Sequence, residues 1–300
     1  MPRALALIVL VFLAGLAAFW ASGAGQGIAT LAQSAQRVAQ TQMASALRAL
    51  HGGEAGALLT LWGLCLAYGL AHAIGPGHGK VVLGAYGAAR AIGPARIVGL
   101  GMGASLAQGA SAVALVLGGV TLLGATRAQV TGLADGLLEQ AGLWAVLALG
   151  LWLIRRGGRG LWALRAVQEH DHHAPHPPPH DAPCATCSHH HGPSPAQILA
   201  ATTPREMALL IGAIALRPCT GALFLLILTW RMGLVWQGLV GVLVMAFGTG
   251  IITSAAGLAA VGARASLLSF TDRLRPVAAT LELVAGALVV LVTASALRLI

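Results

Sequence analysis

Seven apolar runs of roughly membrane-crossing length alternate with short polar segments along this chain. They fall at about residues 4–20, 56–74, 97–123, 140–154, 207–230, 235–261 and 277–297. About 20 apolar residues in a helix cross the hydrocarbon core of a bilayer. Lipid offers nothing to unpaired backbone groups, so runs of this kind are helices. The prediction is an all-α, polytopic integral membrane bundle of about seven transmembrane helices. Composition agrees, with 57% hydrophobic and 9% charged residues and a mean hydropathy of +0.80. Soluble domains carry about 25% charged residues. The net charge of +9 does not make a nucleic-acid footprint, because its arginines are scattered between apolar runs. The partner this composition demands is the lipid bilayer, and no nucleic acid is expected; a homo-oligomer is compatible with it.

Residues 1–55 read as an amino-terminal anchor or a signal helix, with small residues at 21–24 for cleavage. A Gln- and Ala-rich segment follows, predicted as a short amphipathic helix outside the membrane. Residues 56–165 form a first transmembrane triplet and residues 207–300 a second. Between them, residues 166–206 cannot bury a core and are expected to be disordered without metal. With the amino terminus inside, twelve lysines and arginines fall on the cytoplasmic side against five outside, which places the 166–206 loop in the cytoplasm.

The two triplets enter the membrane from opposite sides, and each leading run is interrupted by proline: Gly75-Pro76-Gly77 in one, Arg217-Pro218-Cys219 in the other. Matching broken helices in opposed halves suggest a 3+3 inverted repeat and a substrate site near the breaks. The first break lies within His72-Ala-Ile-Gly-Pro-Gly-His78-Gly-Lys80. Two histidines there either face a polar cavity or belong to a solvated cytoplasmic turn. If Gly-Pro-Gly folds the chain back, both imidazoles meet one ion. Carbonyls freed at the break or polar groups of other spans would complete the shell.

The loop concentrates histidines: His170, His172, His173, His176, His180, His189, His190 and His191, interspersed with Asp171, Asp181, Cys184 and Cys187. Neutral imidazole suits nickel, cobalt, copper and zinc. The uneven spacing across Pro177-Pro-Pro179 does not match a fixed zinc site, so a flexible chelator of divalent metals is expected.

Within the spans, Thr249 and Thr253 are i, i+4, and Ser105, Gln108 and Ser111 form a stripe. Such groups either bond between helices, the commoner role, or face the ion. Arg217 in an apolar run costs about 2.5–3.5 kcal/mol on insertion scales and needs an acidic partner. The nearest in kind is Glu282, in a gating or structural pair; Glu282 could also relay a proton or sit at the interface. Cys219 is either a soft ligand or a small buried thiol.

Three stretches in order, residues 72–80, Arg217-Pro-Cys-Thr-Gly-Ala222 and Ala246-Phe-Gly-Thr-Gly-Ile-Ile-Thr253, together with the histidine loop, resemble the NicO family of bacterial nickel/cobalt transporters. The likeness runs from about residue 56 to the end. It implies nickel or cobalt as transported substrate and no cofactor, with His72 and His78 at the metal-handling motif. Some nickel/cobalt transporters place an acidic residue between the motif histidines; here Gly75 stands there.

The expected function is secondary transport of nickel or cobalt across the inner membrane, outward, rather than an enzymatic reaction. No Walker-type phosphate loop is present, so the chain does not itself hydrolyse ATP. An uptake permease of the same family is the alternative in direction. A membrane thiol–disulfide carrier using Cys65 and Cys219 is the alternative in kind, and a metal sensor without transport is a third.

Overall fold

The computed structural model describes residues 22–75, 78–124, 126–170, 204–269 and 274–298, and the regular structure among them is helical throughout. In order these are α1 (Ala24–His51), α2 (Ala57–Ile74), α3 (His78–Ala89), α4 (Pro94–Leu123) and α5 (Arg127–Leu133). A π-helical turn, Ala134–Leu138, joins α5 to α6 (Glu139–His170). Then come α7 (Pro204–Ala215), α8 (Thr220–Arg231), α9 (Val235–Ser269) and α10 (Leu274–Arg298).

Five stretches, Ala57–Ile74, Pro94–Val120, Ala128–Ala163, Val235–Leu267 and Val277–Leu297, are long and apolar enough to cross a membrane. The pair α7 and α8, bent by 62°, makes a sixth if it is one span. The protein is therefore an all-α, multi-pass membrane protein. These six are the crossings expected after residue 55. The predicted crossing at 4–20 lies outside the described residues, as does the loop from 171 to 203 with seven of its eight histidines.

Proline sets both breaks. The residue before a proline is pushed out of the helical region into extended backbone. Gly75, which precedes Pro76, ends α2 at φ −57° and ψ 162°. Pro218 likewise interrupts the run between α7 and α8, and Cys219 caps α8 at φ −68° and ψ 120°. Beyond the first break, α3 is twelve residues long, too short to cross a bilayer alone.

Two expectations need correction. The segment after residue 22, expected as a short amphipathic helix outside the membrane, is not short. It is a 28-residue helix, α1, packed along α2 and touching α8. Its apolar stripe, Ala39, Met43, Ala46 and Leu47, is buried in one core cluster with Leu61, Cys65 and Leu225. A surface helix buries such a stripe against whatever apolar face is offered, here that of the bundle. The fourth run, expected at 140–154, is the first half of a helix that starts at Glu139 and ends at His170. Arginine ends a membrane crossing but favours a helix, so Arg155, Arg156, Arg159 and Arg165 leave the backbone pattern intact.

Packing between the halves is partly reciprocal. Helix α9 packs on both pieces of the first broken element, α2 and α3, while α4 packs on both pieces of the second, α7 and α8. The long helices α4 and α9 also pack on each other, as do α6 and α10. The exchange is incomplete: α10 packs on α3, whereas α6 packs on α7. A second core cluster joins α3, α4, α6, α7 and α10 through Leu83, Tyr86, Ile97, Leu153, Leu210 and Val289.

Candidate functional site

Where the broken ends come together, the bundle encloses a half-open cavity of about 280 Å³. Its walls take residues from α1 (Gln33, Gln36), α2 (His72), the break and α3 (Gly75, Gly79, Lys80) and α4 (Gln108). Glu139 of α6, Arg217 and Thr220 at the second break, and Thr249 and Thr253 of α9 complete the polar lining. That volume has room for a small hydrated ion.

His72, part-buried in the last turn of α2, is fixed on two sides. Its Nδ1 lies 3.2 Å from Gln36 Oε1, and its ring stacks on Tyr68 with centroids 5.8 Å apart and planes 11° from parallel. An amide oxygen only accepts, so Nδ1 carries the proton and Nε2 keeps its lone pair. That is the arrangement in which a metal-binding histidine is oriented by a group behind it. His78 opens α3 on the far side of the break, and its side chain lies outside the described residues. Its neighbours Gly79 and Lys80 face the cavity. Lys80 Nζ donates to the Gly75 carbonyl, so the ammonium spans the break.

Arg217 does not reach Glu282. Its Nη2 pairs with Glu139 Oε1 at 2.7 Å on the cavity wall, with 43% of the arginine side chain exposed. The bend at Pro218 turns Arg217 out of an apolar run and into a polar cavity beside an acid from α6. The Arg217 carbonyl accepts from Gln108 Nε2 at 3.1 Å, which ties the second break to α4.

Glu282 belongs instead to a buried ion-pair set away from the cavity lining. Its Oε1 lies 3.7 Å from Arg90 Nη1 and 3.6 Å from Arg156 Nε. Arg90 also holds Glu206 at 3.0 Å, and Arg156 approaches the same carboxylate at 3.8 Å. Trp152 presents its ring to both guanidiniums, at 5.9 and 5.5 Å. These charges tie α3, α6, α7 and α10 together. Arg90 is the largest fully buried side chain among the described residues.

The threonines are engaged with backbone: Thr249 donates to the Gly69 and Met245 carbonyls, and Thr253 to that of Thr249. Both residues also line the cavity. Ser105 and Ser111 bond within α4. The two cysteines among the described residues are free and buried, Cys65 Sγ 3.7 Å from Met43 Sδ and Cys219 Sγ 3.9 Å from Met245 Sδ. Among the described residues no three His, Cys, Asp or Glu side chains converge on one point. What the cavity does assemble is one imidazole, one carboxylate, amide and hydroxyl oxygens, and two cations each held by an oxygen.

Four residues of this arrangement, Gln36, Glu139, Tyr68 and Lys80, were not singled out as candidates by sequence reasoning. The glutamines carried a readable signal: Gln33, Gln36 and Gln40 at i, i+3 and i+7 mark one helical face. Glu139 gave none beyond being the acid at the start of an apolar run.

Fold and cavity together define a multi-pass α-helical membrane protein with a polar chamber at the meeting of two broken helices. Residues 58–182, under half of the chain, match the model of NicO, described as "High-affinity nickel-transport protein". The match covers the first triplet and the start of the loop and stops short of the 217–222 and 246–253 stretches. The chain is also similar to a Haemophilus influenzae protein named "Putative nickel/cobalt efflux system", with 32% identity over 197 residues. That alignment takes in 63% of this chain and 61% of the relative, so the chain spans under two thirds of the relative's length. No solved structure matches the chain.

Proposed function

We propose that this protein is a secondary transporter that carries nickel or cobalt ions outward across the bacterial inner membrane. The ion binds in the central cavity, on His72 Nε2 and His78, with carbonyl and hydroxyl oxygens from the breaks and from Thr249 and Thr253 completing its shell. The cytoplasmic histidines collect metal and deliver it to this chamber. The observation that carries the reading is His72 at the end of a broken helix, its Nδ1 committed to Gln36 and its ring held on a cavity wall. A chamber built for electron exchange would present reactive thiols, whereas Cys65 and Cys219 are buried against methionine sulfur. The match of residues 58–182 to the NicO model and the similarity to the Haemophilus influenzae protein support the choice of nickel or cobalt.

Metal accumulation in cells with and without the protein tests this. Cells making it should hold less nickel; more nickel would mean uptake, and no difference would remove the transport reading. His72→Ala and His78→Ala should each abolish flux at matched membrane abundance. Gln36→Leu should only weaken it, raising the half-saturating metal concentration by about tenfold, as loss of an orienting partner does. Normal flux in His72→Ala would take the central cavity out of the mechanism.

A further inference from the structure

A second cavity, about 180 Å³, lies beside the first and shares one lining residue with it, Thr220. Its other polar walls are Gln40, Thr131 and Asp135, the last within the π-helical turn Ala134–Leu138. Turns of this kind interrupt the regular backbone ladder and recur at functional sites. Tyr68, 1% exposed, lines neither chamber but packs against wall residues of both. Its hydroxyl reaches Thr220 Oγ1 at 3.4 Å and receives a hydrogen bond from Gln40 Nε2 at 3.5 Å, both residues being walls of the second chamber. Its ring lies on the His72 imidazole, a wall of the first. The same ring is seated against the backbone of Gly221, where a Cβ would fall 2.2 Å from Tyr68 Cε1. One residue therefore contacts a wall of the first chamber, His72, and two walls of the second, Gln40 and Thr220.

We infer that the two cavities are successive stations of one cation path, with Tyr68 as the gate between them and Asp135 as the carboxylate of the second station. This rests on reading the first cavity as the transport site. The chemistry of the stations differs in a useful direction. The first offers imidazole nitrogen, which favours nickel or cobalt over magnesium. The second offers only carboxylate, amide and hydroxyl oxygen, a weaker set for such ions and so a place from which they leave. The stack couples the two: an imidazole that turns to follow a bound ion carries the tyrosine ring with it, and the hydroxyl leaves Thr220 and Gln40. On the charge bias of the sequence, the segment before the π turn lies on the outer side, which makes the second station the exit.

The test uses the full chain in liposomes with a metal-sensitive dye inside, reading nickel and magnesium entry separately. Tyr68→Ala should admit magnesium, which the wild type excludes, because the chambers then communicate without the imidazole stage. Tyr68→Phe keeps the stack and loses both hydroxyl contacts, so its maximal nickel flux should rise about threefold, the scale of one weak hydrogen bond. Asp135→Asn should lower maximal flux by about tenfold at an unchanged half-saturating concentration, with Asp135→Glu restoring it. Failure of Tyr68→Ala to fold leaves the Phe and Asp135 variants to decide. Tyr68→Phe and Asp135→Asn matching a transporting wild type in rate would overturn the gate and the exit station. A wild type that moves no nickel would instead overturn the transport reading beneath them.

Discussion

The two ion-pair sets differ in how much water they keep, and that decides what each contributes. Arg217 and Glu139 meet on a cavity wall, with side chains 43% and 20% exposed. Water screens such a pair, and its net contribution is about 0.2–1 kcal/mol. Arg90 and Glu282 are 0% and 4% exposed, so neither charge has water to fall back on. Removing one member of a buried pair costs about 3–5 kcal/mol when the other charge is left without a partner; Arg90 keeps Glu206 at 3.0 Å, so the loss falls below that range. Glu282→Gln should still reduce the yield of monodisperse protein in detergent, while Arg217→Ala should leave it nearly unchanged and act on flux. Equal loss of folded protein in both variants would contradict this ranking. The need of Arg217 for an acid was legible from the sequence; which acid it takes was not. That depends on the 62° bend between α7 and α8 and on α6 starting at Glu139. Neither is a local property of residues 217 or 282.

Helices in this bundle approach closely where glycine removes the side chain, and each such contact fixes an element's position. A Cβ on Gly69 of α2 would stand 2.2 Å from the Met245 carbonyl of α9. At the α6–α10 seam, a Cβ on Gly157 would meet the Ala279 carbonyl at 2.8 Å, and one on Gly286 the Gly150 carbonyl at 2.8 Å. Small residues let membrane helices pack backbone to backbone, where apolar burial gives no advantage over lipid. Gly63, in the same helix as Gly69, has nothing within 4 Å of an added Cβ. Glycine inside a helix is disfavoured by about 1 kcal/mol against alanine. Gly63→Ala should thus hold or raise the melting temperature in detergent, and Gly69→Ala should lower it, since overpacking costs about 1–3 kcal/mol. A raised melting temperature for Gly69→Ala would mean α2 and α9 can separate freely. The breaks themselves were legible from Pro76 and Pro218, since proline acts locally on its own neighbours. The place of α1 was not, because an amphipathic stripe says that a helix lies on something apolar without saying what.

At the scale of the whole molecule, the proposed function has the chamber and the histidine loop divide the work of binding. The chamber is assembled by most of the helices, α1 to α4 and α6 to α9, so any rearrangement that releases the ion must shift several at once. Half of this was readable: two triplets with matching breaks predict a site near them, and His72 lies there. The partners across the chamber come from helices far apart in sequence, which no spacing rule connects. The loop is the opposite case, since its composition alone states its chemistry. Eight histidines between residues 170 and 191 form a dense but uneven ligand set. A tethered set of weak sites acts through effective concentration, keeping metal near the chamber when free cytosolic metal is scarce. Deleting residues 168–192 should therefore raise the metal concentration for half-maximal efflux and leave the maximal rate nearly unchanged. The ligand is neutral imidazole, with an unperturbed pKa of about 6.5, so protonation removes it as pH falls through that value. The advantage of the full-length protein over the deletion should accordingly be present at pH 7.5 and vanish near pH 5.5. Both proteins would be assayed in inside-out vesicles across that range at low nickel. A difference that persists at pH 5.5 would assign the loop's effect to Cys184, Cys187 or the aspartates. Loss of flux at saturating metal would place obligatory ligands within the loop.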